Sequence, residues 1–230
     1  MSDSSTHSPA FTERLTSFLS RFRKVLIFGG IAVLVAIIAA VVVAQVMSAR
    51  NDASIRAAEE LQELWDDYDA DSEDASVAQE DVREAVSQLI DEYPRTYGAL
   101  RARMILAELE WQLENWEAAQ DAYMAVVDEH GRNHLTGPAL FSAAAAAEEA
   151  GNLDRARELY GRVADGEGDP TTEVPHALFN LGRIAELQSD QALAIEYYNR
   201  LIDDHSSSNW TNLGRNRIIW LTSQGAGADS

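Results

Sequence analysis

Cysteine is absent from the 230 residues, which excludes disulfide staples, thiolate metal sites and a cysteine nucleophile together. Lysine is almost absent: Lys24 is the only one. Positive charge is scarce where acids are dense, because residues 51–230 carry 36 acids against 13 arginines, leaving −23, while residues 1–50 carry five cations against two acids, leaving +3. A body so negative repels nucleic acid, whose binding depends on cations that neutralise phosphates. Two origins fit the missing lysine and the many carboxylates, a G+C-rich genome or an acidic surface adapted to salt. Alternating β-branched runs bounded by turn signals are missing too, so the fold class is all-α. No Walker loop, dinucleotide fingerprint, nucleophile elbow, HExxH or EF-hand loop occurs. Neither a catalytic residue nor a cofactor or metal site is expected, and the chain is read as a non-enzyme. His130 and His134 lie four apart beside Glu129, but Gly131 between them points to a solvated turn. The acids from Asp66 to Asp74 lack the glycine and spacing of a Ca²⁺ loop and read as a solvated face.

What is present begins with an apolar run. Val25–Ala44 contains no charge in 20 residues, and a helix of that length spans about 30 Å, the thickness of a bilayer's hydrocarbon core. Arg21, Arg23 and Lys24 abut its N-terminal side, and the chain beyond Arg56 is acidic. By the positive-inside tendency the N-terminus faces the cytoplasm and the remainder lies outside it, as in a single-pass protein of a bacterial inner membrane with its body in the periplasm. The competing reading is a cleaved signal peptide with a mature chain starting near Gln45, although its apolar region is ordinarily only about 7–15 residues. Phe11, Leu15, Phe18, Leu19 and Phe22 share helical spacing with basic residues between them. That segment reads either as an interfacial amphipathic helix or as an extension of the spanning one. The expected divisions are a cytoplasmic tail at 1–24, a transmembrane helix at 25–47, a repeat domain at 49–222 and an unstructured tail at 223–230.

The body repeats itself. Leu178, Leu181, Gly182, Ala185, Ala194, Tyr198 and Leu201 follow the order of large, small and aromatic positions of the tetratricopeptide pattern. Leu140, Ala143, Ala144, Ala147, Ala156, Tyr160 and Val163 repeat it, and Leu106, Ala107, Ala119, Tyr123 and Val126 repeat it in part. Ala119, Ala156 and Ala194 are 37 and 38 residues apart, slightly more than the usual ~34. The stretch Glu167–Pro175 expands one connection. Helices near Ala49–Tyr68 and Val77–Tyr93 form a degenerate first pair, with an acidic linker at Asp69–Ser76. Trp210, Leu213, Arg217, Ile218, Trp220 and Leu221 suggest a terminal helix that caps a right-handed solenoid, since the last repeat otherwise leaves a face uncovered.

Thr96-Tyr97-Gly98-Ala99-Leu100, followed by Leu106-Ala107-Glu108-Leu109, resembles the start of the repeats in the YfgM-like proteins, ancillary subunits of the SecYEG translocon. The order of parts is similar as well: a basic segment such as Arg14–Lys24, one span, a degenerate pair and a run of repeats. The resemblance implies a bitopic inner-membrane scaffold whose repeats contact translocon subunits, periplasmic chaperones or newly exported chains. The long repeats and the Trp210–Leu221 segment depart from it.

In such arrays the first helix of each pair lines the binding face. The alanine register puts Arg101, Met104, Glu108 and Trp111 there from the first clear unit, Phe141 and Glu148 from the second, and Phe179 and Arg183 from the third. Aromatic anchors mixed with both charges suit a peptide groove. The plainer reading makes Met104, Phe141 and Phe179 part of the core between repeats. Two further functions stay open: a structural envelope or cell-division protein using the same groove, and a scaffold that associates with its own copy.

Overall fold

The computed structural model describes residues 11–130, 133–167 and 173–228. Residues 1–10, the side chains of 11–23 with their expected aromatic face, and much of the connection at 167–175 lie outside what is described. Nine helices and no strand occur among the described residues. They are α1 (Phe11–Asp66), α2 (Ala75–Glu92), α3 (Tyr97–Gln112), α4 (Trp116–His130), α5 (Thr136–Glu149), α6 (Leu153–Ala164), α7 (Glu173–Leu187), α8 (Gln191–Asp204) and α9 (Asn209–Ala228).

The chain divides into two compact units, Met1–Asp52 and Ala53–Ser230. In the first, Val25, Phe28, Val33, Val43 and Met47 all stay exposed, so the apolar surface runs around the helix rather than along a stripe. Among the described residues one helix is thus long and apolar enough to cross a bilayer, by length and composition. The sequence reading separates an apolar helix ending near residue 47 from a second one beginning at Ala49. The structure has instead one unbroken helix, α1. No glycine or proline stands between Met47 and Asp66, so the change from apolar to charged side chains alters the surroundings and not the backbone.

In the second unit the end of α1 pairs with α2, and α3/α4, α5/α6 and α7/α8 follow as pairs. Ala58, Leu61, Val82, Val86, Leu89, Ala102, Ile105 and Leu109 bury one cluster around the first pair and α3. Ala119, Tyr123, Leu140, Ala144, Ala156, Tyr160, Leu178 and Leu181 belong to a continuous core through α3–α8. Small residues set the helix spacing. A Cβ on Gly98 would strike the backbone carbonyl of Ser54, and one on Gly182 would strike the ring of Tyr198. Ala107 and Ala144, at the register of Gly182, are fully buried.

The turns inside the three clear pairs repeat one geometry. Glu114, Gly151 and Ser189 take φ of 58°, 77° and 62°, the left-handed conformation that closes a helix. Each is followed by a residue whose N–H reaches back to the carbonyl of Glu110, Ala147 or Ala185. Asn152 and Asp190 then cap the next helix by accepting from the amides of Arg155 and Leu193. Only Gly151 is free of the Cβ penalty that Glu114 and Ser189 carry.

At the far end α9 buries Thr211, Gly214 and Leu221 but exposes Leu213, Ile219 and Trp220. It covers α8 with one side only. The helix continues through Gly225 to Ala228, where the sequence suggests an unstructured tail.

Candidate protein-binding face

The first helices of successive pairs, α3, α5 and α7, carry the eight residues read from the alanine register. Each of the hydrophobic ones, Met104, Trp111, Phe141 and Phe179, is half-buried and packs against the main core. They are therefore both core and surface: one side completes the packing between repeats while the other remains accessible. The structure brings the eight together only in subsets.

Glu108, Trp111 and Phe141 meet around a cavity of about 290 Å³ between α3 and α5, which Tyr123, Ser142 and Ala145 also line. Trp111 sets its ring edge-on to Trp116, with centroids 5.1 Å apart, and Phe141 does the same to Tyr160 at 5.2 Å. Both aromatic walls are thus fixed by neighbours. The Tyr123 hydroxyl lies 3.5 Å from Glu108 Oε2. Burial first, and then the Glu108 charge, push that phenol up to about 12, so it stays a neutral donor. A second concavity of similar size on the other side of Glu108 is lined by Gln62, Trp65, Met104, Ile105 and Gln112. Arg101, two turns before Glu108, donates to Gln62 Oε1 at 3.1 Å.

Arg183 and Glu148 lie elsewhere on the face and hold each other. Two guanidinium nitrogens meet the two carboxylate oxygens at 2.5 and 2.6 Å across the α5–α7 joint, the forked geometry that makes an arginine pair specific. The sequence offers these two as charges for a ligand, but they are already engaged within the protein. The next joint repeats the device. Glu186 of α7 bonds Arg217 of α9, accepts from the Tyr198 hydroxyl at 2.6 Å, and Arg217 lies 4.4 Å over the Trp220 ring. Burial would raise the Glu186 carboxyl, but the bonds from Arg217 and Tyr198 outweigh it and hold the group below its usual value.

Phe179 belongs to an aromatic run rather than to an open wall. Phe141, His176, Trp210 and Phe179 contact one another in that order, with His176 stacked on Trp210 at 3.7 Å and 12°. His176 and Trp210 are members of this face that the repeat register does not identify. Burial, followed by the nearby Arg183 charge, lowers the His176 pKa. His134, assigned above to a solvated turn, sets its ring 6.1 Å from that of Tyr97, and residues 131–132 beside it lie outside the described part.

Comparison with known proteins agrees with this geometry. A tetratricopeptide repeat-like domain model matches residues 17–139, and a tetratricopeptide repeat model matches residues 141–209. A "TPR repeat-containing protein" of Treponema pallidum (strain Nichols) is 35% identical over 127 residues, 55% of this chain and 52% of that protein. The match spans about half the length of that relative. Tetratricopeptide domains are protein-interaction modules rather than catalysts. With one family model covering more than half of the sequence and a second continuing it through α8, the chain belongs to the tetratricopeptide-repeat family.

Proposed function

We propose that this protein is a membrane-tethered interaction scaffold: Val25–Ala44 lies in the bilayer, residues 1–24 stay in the cytoplasm, and the repeat domain, from about residue 49 to 222, works outside it. The observation that carries this reading is the face of α3, α5 and α7, on which Met104, Trp111, Phe141 and Phe179 each keep one side accessible. Half-buried aromatic groups held by rigid helices supply contact area with little ordering entropy, as residues that dominate protein interfaces do. The exposed apolar helix supports the tether, because in water such a surface has no stable environment. The basic flank at Arg21, Arg23 and Lys24 supports the orientation.

The resemblance of Thr96–Leu109 and of the order of parts to the YfgM-like proteins suggests the place of work: beside the protein-export translocon, with translocon subunits, periplasmic chaperones or emerging chains as partners. Two experiments test this. A reporter active only outside the cytoplasm, fused after Ser230, should be active, and activity from a cytoplasmic reporter alone would overturn the orientation. A photo-crosslinking residue at Ser142, in full-length protein in its membrane, should yield adducts with a translocon subunit, a chaperone or an exported chain. Adducts confined to envelope-structural proteins or to a second copy would favour those functions instead.

A further inference from the structure

Resting on the groove reading above, the geometry points to a partner segment that delivers an arginine or lysine side chain into the cavity between α3 and α5. The repeat register shows why that cavity exists. At the α5–α7 joint Glu148 and Arg183 fill the space with a forked ion pair. One repeat earlier, the equivalent of Glu148 is Trp111 and the equivalent of Arg183 is Ala145. Ala145 stops at its Cβ where the next joint extends a whole guanidinium side chain, and a void of about 290 Å³ remains.

The chemistry of the lining matches the group that is missing. Trp111, Tyr123 and Phe141 present aromatic surface, and Glu108 is the one charged residue among those lining the void. Glu108 is exposed, and the bond it accepts from the Tyr123 hydroxyl is long at 3.5 Å, which leaves carboxylate lone pairs for a guest. A cation there gains ring-face attraction together with a charge-assisted hydrogen bond. The nearby cations do not supply it from within: Arg183 is engaged by Glu148, and Arg101 donates to Gln62. The charge of −23 over residues 51–230 favours approach of a basic segment and opposes a second acidic copy of this chain. The neighbouring concavity, with Trp65 and Met104 on the other side of Glu108, suits an apolar residue flanking the cation.

The test uses the full-length protein in detergent and three fluorescein-labelled peptides of one alanine- and leucine-containing sequence. They differ only at the central residue: arginine, its neutral isostere citrulline, or glutamate. The arginine peptide should bind about tenfold more tightly than the citrulline peptide at low salt, and glutamate should bind most weakly. Glu108→Gln should remove the difference between arginine and citrulline. Ala145→Arg, which restores an internal cation, should weaken all three, and Ala145→Gln should fill the void without charge if the first variant lowers the melting midpoint. Equal binding of arginine and citrulline, still weakened by Ala145→Gln, would overturn the cation preference while leaving the groove reading intact. Binding by none, or binding indifferent to both Ala145 variants, would overturn both. Self-association that the arginine peptide cannot displace would identify the occupant as a second copy and refute the proposal.

Discussion

Gly182→Ala probes a close helix approach inside the α7/α8 pair. The new methyl group would meet the Tyr198 ring, which is fully buried. The ring cannot swing aside freely, because its hydroxyl bonds Glu186 at 2.6 Å and Glu186 is in turn held by Arg217. Overpacking of this kind costs about 1–3 kcal/mol. Alanine's better helix propensity returns about 1 kcal/mol, so the net loss is roughly 1–2 kcal/mol when the clash is in the upper part of its range. For a domain of this size that lowers the melting midpoint by about 2–8 °C. All five tryptophans lie between residues 65 and 220, so their fluorescence follows the repeat domain alone in detergent. Gly161→Ala is the control of opposite sign. Gly161 sits inside α6 with nothing within 4 Å of the added Cβ, and the same exchange there should stabilise by about 0.5–1 kcal/mol. If both variants raise the midpoint, α7 and α8 are not in the close contact described and the register is wrong.

Other outcomes follow from the same geometry. Arg183→Glu sets two carboxylates face to face across the α5–α7 joint and should lower the midpoint, while the exchange Arg183→Glu with Glu148→Arg should recover at least about half of the loss; no recovery would mean that the pair does not join the helices. His176 binds its proton less readily folded than unfolded, so the unfolded state takes up more protons as pH falls through about 6.5 and the group's contribution to stability is lost on acidification. Midpoints measured at pH 7.5 and 5.5 should therefore fall further for wild type than for His176→Phe, and equal falls would refute the assignment. Ala194→Trp should unfold at least the α7/α8 pair, as Ala194 is fully buried; an unchanged melting curve would contradict the packing.

The alternation of small and large positions is legible because backbone proximity dictates it. Ala107, Ala144 and Gly182 mark where helices nearly touch, and Tyr123, Tyr160 and Tyr198 mark the gaps between layers, so the pairs and the first-helix face can be counted from one-dimensional spacing. The continuity of α1 was also present as a signal, in the lack of any breaker after Met47. A change in side-chain polarity draws the eye to a boundary that the backbone does not have. The shared left-handed turns were hidden because Glu114 and Ser189 do the work that a glycine advertises at Gly151. Less of the site was readable. Whether Arg183 faces a ligand or Glu148 depends on how two helices 35 residues apart cross, and the stacking of His176 on Trp210 requires α7 and α9 to be packed first. The exchange of Glu148 and Arg183 for Trp111 and Ala145 is visible in the sequence once the pairing is known, and meaningless before.

The two forked pairs also give the array an uneven response to ionic strength. Arg183 and Arg217 keep about two-fifths of their side chains in contact with solvent, so dissolved ions screen the joints they hold. Among the described residues the α3–α5 joint, where Trp111 and Ala145 stand instead, has no such pair to weaken, and apolar contact is little affected by screening. Concentrated salt therefore loosens the α5–α7 and α7–α9 joints relative to the α3–α5 joint, while the Arg83–Glu110 pair makes the contact of α2 with α3 sensitive to salt as well. Sensitivity to the medium is thus spread unevenly along the array, and of these three joints the aromatic one between α3 and α5 is the most indifferent to it.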